Sequence, residues 1–211
     1  ADGYRCAITD TETLRTRLLE APVANVDPRG RFGIGVNFDR MFHFRPGYGY
    51  AGGSGARMGE DHPSDDGVWR VDLETGKSRL VLSLDRIWQF CGGHFGGREQ
   101  KIVINHITCN TDGSRFVFLV RNFPSSDVPR WHTAILTASA EGQELRLLAD
   151  FGYASHYHWR DERVVTFHCD GPEGPQLYEI DDGTRARTVL DRGFFLRDGH
   201  CSYSPDRKWM L

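Results

Sequence analysis

Apolar and polar residues alternate along this chain in short runs, with turn-forming residues between the runs at regular intervals. After Asn105 the runs fall at 107–110, 115–120, 132–138 and 145–149, separated by an Asp112-Gly113 turn, a longer connection and a Glu141-Gly142 turn. The same order recurs at 157–159, 163–168, 176–180 and 186–190, with an Asp182-Gly183 turn before the last run. Residues 22–36 and 67–84 supply a comparable unit, turned at Asp27-Pro28-Arg29-Gly30 and Glu74-Thr75-Gly76. A period of two is the signature of strands, and acidic-Gly pairs suit tight hairpins. A fourth unit opens at Gly199, turns at Ser204-Pro205-Asp206-Arg207 and reaches Trp209-Met210-Leu211 as its second strand begins.

Four-stranded units recurring at 44 to 50 residues predict an all-β fold, a β-propeller built of four-stranded blades. The chain reads as a single propeller domain over 1–211, with blade-like units at about 22–84, 105–150, 155–191 and 199–211. Roughly three and a half blades fall short of the four to eight of a closed ring. The expectation is therefore the N-terminal part of a longer propeller, completed by further C-terminal blades or by a second copy. Two stretches break the strand rhythm. Residues 11–20 have helical spacing and few β-formers, and read either as a short helix or as an outer strand closing the ring. Residues 45–63 form a long Gly- and Tyr-rich insertion, which in a compact domain is more often functional than idle.

Composition narrows the function classes. A formal net charge of −3 over 211 residues, with no block of like charge, argues against a nucleic-acid groove and against a membrane-surface patch. No apolar stretch reaches transmembrane length, and the first residues lack a charged-then-apolar leader. That leaves the compartment open: periplasmic or extracellular if a leader was removed, cytoplasmic if the substrate is an oligosaccharide. Five cysteines without CxxC spacing read as mostly free thiols, and the five tryptophans as blade packing.

The candidate chemistry lies in three histidines that occupy one position of the repeat. His106, His156 and His200 each follow a small polar residue or glycine and precede an apolar or aromatic stretch and an acidic turn, at separations of 50 and 44 residues. Equivalent blade positions converge on one axis, so the imidazoles would converge as well. A lone histidine at the inner end of a blade strand reads as packing against a neighbour's backbone; three in register make a site an equal reading. His158, two residues after His156, would share its strand face. His156, His158 and His200 are thus a candidate set for a divalent metal, zinc or manganese. His106 and His132 belong to the first and third strands of one unit, and Arg121 ends the strand between them. Arginine to neutralise a carboxylate and histidine to take a proton suit proton abstraction beside an acid group. Arg40, His43, Arg45, Tyr48 and Tyr50 form a basic, aromatic cluster that fits an acidic sugar equally well as it fits a decorated loop.

Four segments carry a family resemblance: Asp66-Gly67-Val68-Trp69-Arg70 through Gly76, Asn105-His106 through Phe116, Ser155-His156-Tyr157-His158-Trp159, and Asp198-Gly199-His200-Cys201 through Asp206. Together with Arg45-Pro46-Gly47-Tyr48-Gly49-Tyr50 they resemble the propeller polysaccharide lyases, of the oligogalacturonate lyase and ulvan lyase type. The resemblance covers most of the chain from about Pro22 onward, although its Ser-Pro-Asp turns are common to many propellers. It implies a seven-bladed propeller, of which this chain would be roughly the N-terminal half. It also implies β-elimination at a uronate in an acidic oligo- or polysaccharide. On it, His106 and His132 match catalytic histidines, Tyr157 (with Tyr153 as substitute) a proton-transfer tyrosine, and His156, His158 and His200 a metal-binding pattern. The connection 122–130 is longer than that pattern leads one to expect. The rival class is a non-catalytic propeller that binds a protein or carbohydrate partner. A calcium-dependent hydrolase on the same scaffold would favour carboxylate and amide oxygens over imidazole.

Overall fold

A computed structural model describes residues 3–55, 57–95, 99–149 and 152–211. The chain opens with a hairpin of β1 (Cys6–Thr9) and β2 (Thr16–Leu19), so the ambiguous stretch 11–20 contributes a strand and not a helix. Asp10 shapes its turn by accepting the backbone N–H groups of Glu12 and Thr13 at 2.9 and 2.7 Å. Three antiparallel four-stranded sheets follow, each in sequence order. The first holds β3 (Asn25–Val26), β4 (Phe32–Gly35), β5 (Gly67–Asp72) and β6 (Ser78–Ser83). The second holds β7 (Ile102–Cys109), β8 (Arg115–Asn122), β9 (Thr133–Ser139) and β10 (Arg146–Ala149). The third holds β11 (Ala154–Trp159), β12 (Val164–Gly171), β13 (Gly174–Asp181) and β14 (Arg187–Val189). A bridge between Tyr203 and Met210 opens a further unit. These are blades of a β-propeller.

Two helices not anticipated from the alternation interrupt the strands. Helix α1 (Phe38–Phe44) starts at Asn37, whose side chain accepts the Arg40 N–H, and α2 (Leu84–Cys91) starts at Ser83, which does the same for Arg86. Leu84, Ile87 and Cys91 form the buried stripe of α2. Strands β7 and β11 begin at Ile102 and Ala154, ahead of the expected 107 and 157, which puts His106 and His156 inside strands.

The core lies between the blades. Along β8, Phe116 and Phe118 pack towards the first blade while Val117 and Leu119 pack towards the third, all fully buried. Period-two alternation thus serves two cores, and each such side chain contributes about 1.5–3 kcal/mol of burial. Turn acids fasten each blade to the one before it. Asp182, 2% exposed, holds Arg115 at 2.6 Å and Arg146 at 2.5 Å across the gap between the third and second blades. Glu141 reaches Arg70 at 3.5 Å and also pairs with Arg79 of the first. Near the axis, Asn25 accepts the Cys109 N–H at 2.9 Å, and the Trp159 indole donates to the Thr108 carbonyl at 3.1 Å. These bonds align successive inner strands, and so the residues they carry. All five cysteines are free thiols.

Candidate functional site

The inner strands of the second and third blades carry the same defect at the same place. In β7 the pairing with β8 slips between Asn105 and Ile107, and in β11 the pairing with β12 slips between Ser155 and Tyr157. The unpaired residues are His106 and His156, with φ of +56° and +31°. A bulge of this kind re-aims a side chain, and a left-handed φ away from glycine costs about 1–3 kcal/mol. Two in register point to function, because strain of that size persists only where the surroundings enforce it.

Both histidines line a cavity of about 110 Å³ together with Thr108, Tyr157 and His200. The His156 and His200 rings lie 4.0 Å apart between centroids. His158 does not join them. The bulge at His156 interrupts the two-residue alternation that would have placed both on one face, and His158 packs 5.9 Å from the Tyr203 ring instead. Among the described residues no group of three His, Cys, Asp or Glu side chains is placed to hold a metal ion. The trio His156, His158 and His200 is therefore not brought together, and only His156 and His200 share the cavity.

What holds His156 is Asp198. The His156 Nδ1 lies 2.8 Å from the Asp198 Oδ2, and the Tyr153 hydroxyl donates to the same oxygen at 2.6 Å. Burial alone would raise the Asp198 carboxyl, but hydrogen bonds from Tyr153 and His156 hold it below its usual value. Tyr153 is pushed up to about 12 by burial and by Asp198, so it keeps its proton and donates. Tyr157 is raised by burial and turns its hydroxyl to the Val117 carbonyl at 3.3 Å.

On the other side of His106 stands a basic, aromatic wall. Tyr48 lies 5.7 Å from the His106 ring, and the Arg45 guanidinium covers the Tyr48 ring at 4.8 Å while donating to its hydroxyl at 2.9 Å. Trp131 receives two cations, with Arg45 and Arg121 at 5.7 and 5.9 Å from its ring. Arg121 is 3% exposed. Its Nε donates to Thr133 at 3.1 Å, and its Nη1 is buried without a hydrogen-bond partner among the described residues. Burial lowers this guanidinium from its ordinary value, against the opposing influence of Tyr48 and Tyr153.

Burial and the charges of Arg121, His156 and His200 push His106 down to about 4, although its ring opens on the cavity. Its imidazole is then neutral throughout the neutral range. In ¹H–¹⁵N spectra the His106 ring is expected to titrate near pH 4, and a midpoint near the ordinary histidine value would contradict this environment. Because the folded value lies below the unfolded one, the neutral ring favours the folded state above about pH 6.5, and that contribution is lost as pH falls towards 4.

Of the remaining sequence-selected residues, only Tyr50 lines a cavity beside His106. Arg40 is fully buried and spends its guanidinium on backbone carbonyls, reaching Ile102 at 2.6 Å and Glu60 at 3.1 Å, so it fastens the 57–61 segment to β7. His43 stands 3.6 Å from Asp39 on its own helix. His132 sits at the foot of β9 with its backbone N–H on Asn122 at 2.6 Å and, like Arg45 and Arg121, lines neither cavity beside His106. Tyr50 packs on Phe38 at 5.2 Å. Asp198 and Trp131 were not singled out for chemistry. Asp198 stands directly before the Gly199-His200 pair, which was the available signal; nothing in the alternation separates Trp131 from the packing tryptophans.

No protein-family model and no curated protein matches this chain. Solved structures do. The tricorn protease is 13% identical over 94% of this chain and 18% of its own, with a TM-score of 0.55. A putative TolB from Agrobacterium tumefaciens is 16% identical over 99% of this chain, with a TM-score of 0.52, and this chain spans 61% of its length. At such identities these two show the propeller fold alone. An oligogalacturonate lyase from Vibrio parahaemolyticus is 14% identical over 100% of this chain and 66% of its own, and its TM-score of 0.46 adds no weight.

Proposed function

We propose that this site cleaves a uronate-containing oligo- or polysaccharide by β-elimination. The observation that carries the reading is Arg121, a buried guanidinium with an unpartnered Nη1 beside a second arginine and a neutral imidazole. A buried cation with a free donor is matched by a carboxylate, and a guanidinium fork suits it best. In the proposed reaction Arg121 and Arg45 take the uronate carboxylate and stabilise the charge that moves onto it when the C5 proton leaves. His106 accepts that proton. The C4–O bond breaks, a C4–C5 double bond forms, and doubly protonated His156, its Nδ1–H held by Asp198, gives its Nε2 proton to the leaving oxygen; the C5 proton on His106 then leaves to solvent and His156 takes one up, which restores both. No water is consumed.

Incubation of the protein with polygalacturonate, ulvan and related uronate polymers is expected to generate the ultraviolet absorbance of an unsaturated uronate. Binding of these polymers without any new absorbance would leave a carbohydrate-binding platform and overturn the lyase. A divalent ion such as zinc or manganese, which His156 and His200 would hold, would be a second source of positive charge for the carboxylate. With the arginines in that role, activity is expected to survive EDTA. Loss on chelation with recovery on adding manganese or zinc would transfer the role to the ion.

A further inference from the structure

Two side chains of the second blade, beside the His106 bulge, are buried with polar atoms that meet no partner. Asn105 is 0% exposed, and neither its amide nitrogen nor its amide oxygen has a hydrogen-bond partner among the described residues. Arg121 keeps Nη1 in the same condition. Such groups give up their water on folding and gain nothing in return, so native chains keep few of them. Register puts the two side by side. Val103 pairs with Arg121, and Asn105 with Leu119. Leu119 and Arg121 stand two residues apart on β8, so they share the face that packs towards the third blade. Asn105, opposite Leu119, shares that face, and diagonal neighbours across a ladder lie about 7–8 Å apart, within reach of a long side chain. The amide and the guanidinium nevertheless do not bond one another.

The chemistry of these atoms decides what fits between them. Arg121 Nη1 only donates, whereas the amide donates from its nitrogen and accepts at its oxygen. An apolar group would leave all of them unmet, and a cation would face the guanidinium charge. A carboxylate accepts from both side chains, and a hydroxyl group near it reaches the amide oxygen. We infer that Asn105 is a substrate-binding residue that holds the acid group of the uronate jointly with Arg121, while its amide oxygen takes a sugar hydroxyl. This rests on the lyase reading for the identity of the acid, and adds an uncharged donor beside the cation. Asn105 directly precedes His106, so the bulge presents the base while the residue before it holds the acid. Neither Asn105 nor Arg121 lines the cavities beside His106, of about 110 and 300 Å³. Trp131, half-buried and with its ring 5.9 Å from the guanidinium, covers Arg121, and the acid group enters past that ring.

The test sets activity against stability. Asn105→Leu keeps the branched shape and Asn105→Ala removes the amide without adding bulk. Losing unpaired polar atoms costs the fold little, so at least one of the two is expected to melt at or above the temperature of the parent protein. Both are expected to lose about tenfold or more in kcat/KM on polygalacturonate or ulvan, whichever yields product absorbance. Asn105→Asp carries a charge that occupies Arg121 and repels the substrate acid, so its kcat/KM is expected to fall below that of Asn105→Leu. A lowered melting temperature in both apolar variants would make the amide a structural group and overturn the inference. So would a smaller loss of kcat/KM, or an Asn105→Asp variant at least as active as Asn105→Leu. Should neither polymer be cleaved, the lyase reading fails on its own, and calorimetry with free glucuronate decides the role of Asn105. Binding weakened about tenfold or more by Asn105→Leu upholds it, and equal binding, or none to the parent protein, refutes it.

Discussion

Replacing Arg121 with glutamine is expected to lower kcat/KM on uronate oligosaccharides by about 10²–10³, the loss typical of removing one preorganised donor from a developing anion. The reasoning is electrostatic. The negative charge on the uronate carboxylate grows as the C5 proton leaves, in a setting from which Thr133, Trp131 and the blade core exclude water around the guanidinium. Glutamine retains one donor of comparable reach and fills most of the volume, so the variant should fold, and a melting curve checks that it does. Arg121→Lys should fall between the two, because an ammonium keeps the charge but lacks the planar fork. Activity of Arg121→Gln within threefold of the parent protein would remove Arg121 from the mechanism.

The largest effect on stability is expected at Asp182. Its carboxylate is 2% exposed and carries Arg115 and Arg146 of the preceding blade, with the Thr137 hydroxyl on its other oxygen. Asp182→Ala leaves Arg115 only its contacts to Glu144 and Thr137, and Arg146 only Glu144 and the backbone carbonyl at position 182, and breaking a buried pair from one side costs about 3–5 kcal/mol. Arg146 is 32% exposed and recovers some water, which places the expectation at the lower end of that range. Asp182→Asn should cost less, since its amide oxygen still accepts. Urea denaturation measures both, and a loss below 1 kcal/mol for Asp182→Ala would show that the blades are held by apolar packing alone. None of the three residues lines the cavities beside His106, so activity under native conditions should change little.

How much of this was legible in the sequence differs from element to element. Strand alternation and acidic-Gly turns give the blades, because a two-residue period and a left-handed turn position are local properties. The convergence of His106, His156 and His200 follows from the repeat. The bulges do not, since a register slip leaves no composition of its own; with them went the facing of His158, which alternation placed beside His156 and the fold turns to Tyr203. Arg40 looked like a substrate arginine and is instead a backbone clamp, because its role depends on carbonyls at 57–61 that only tertiary structure brings near. Asp198 was hidden for the same reason. It meets His156 across 42 residues of chain, at a place outside the strand pattern.

The β-elimination itself is tested most directly by mass spectrometry of the fragments released from a defined uronate oligosaccharide. Elimination predicts fragments whose masses sum to that of the intact substrate, one of them carrying the unsaturated uronate, and their disappearance with Arg121→Gln. Fragments that together exceed the substrate by one water would mean hydrolysis, and would contradict the assignment of His106 and Arg121 to C5 proton abstraction.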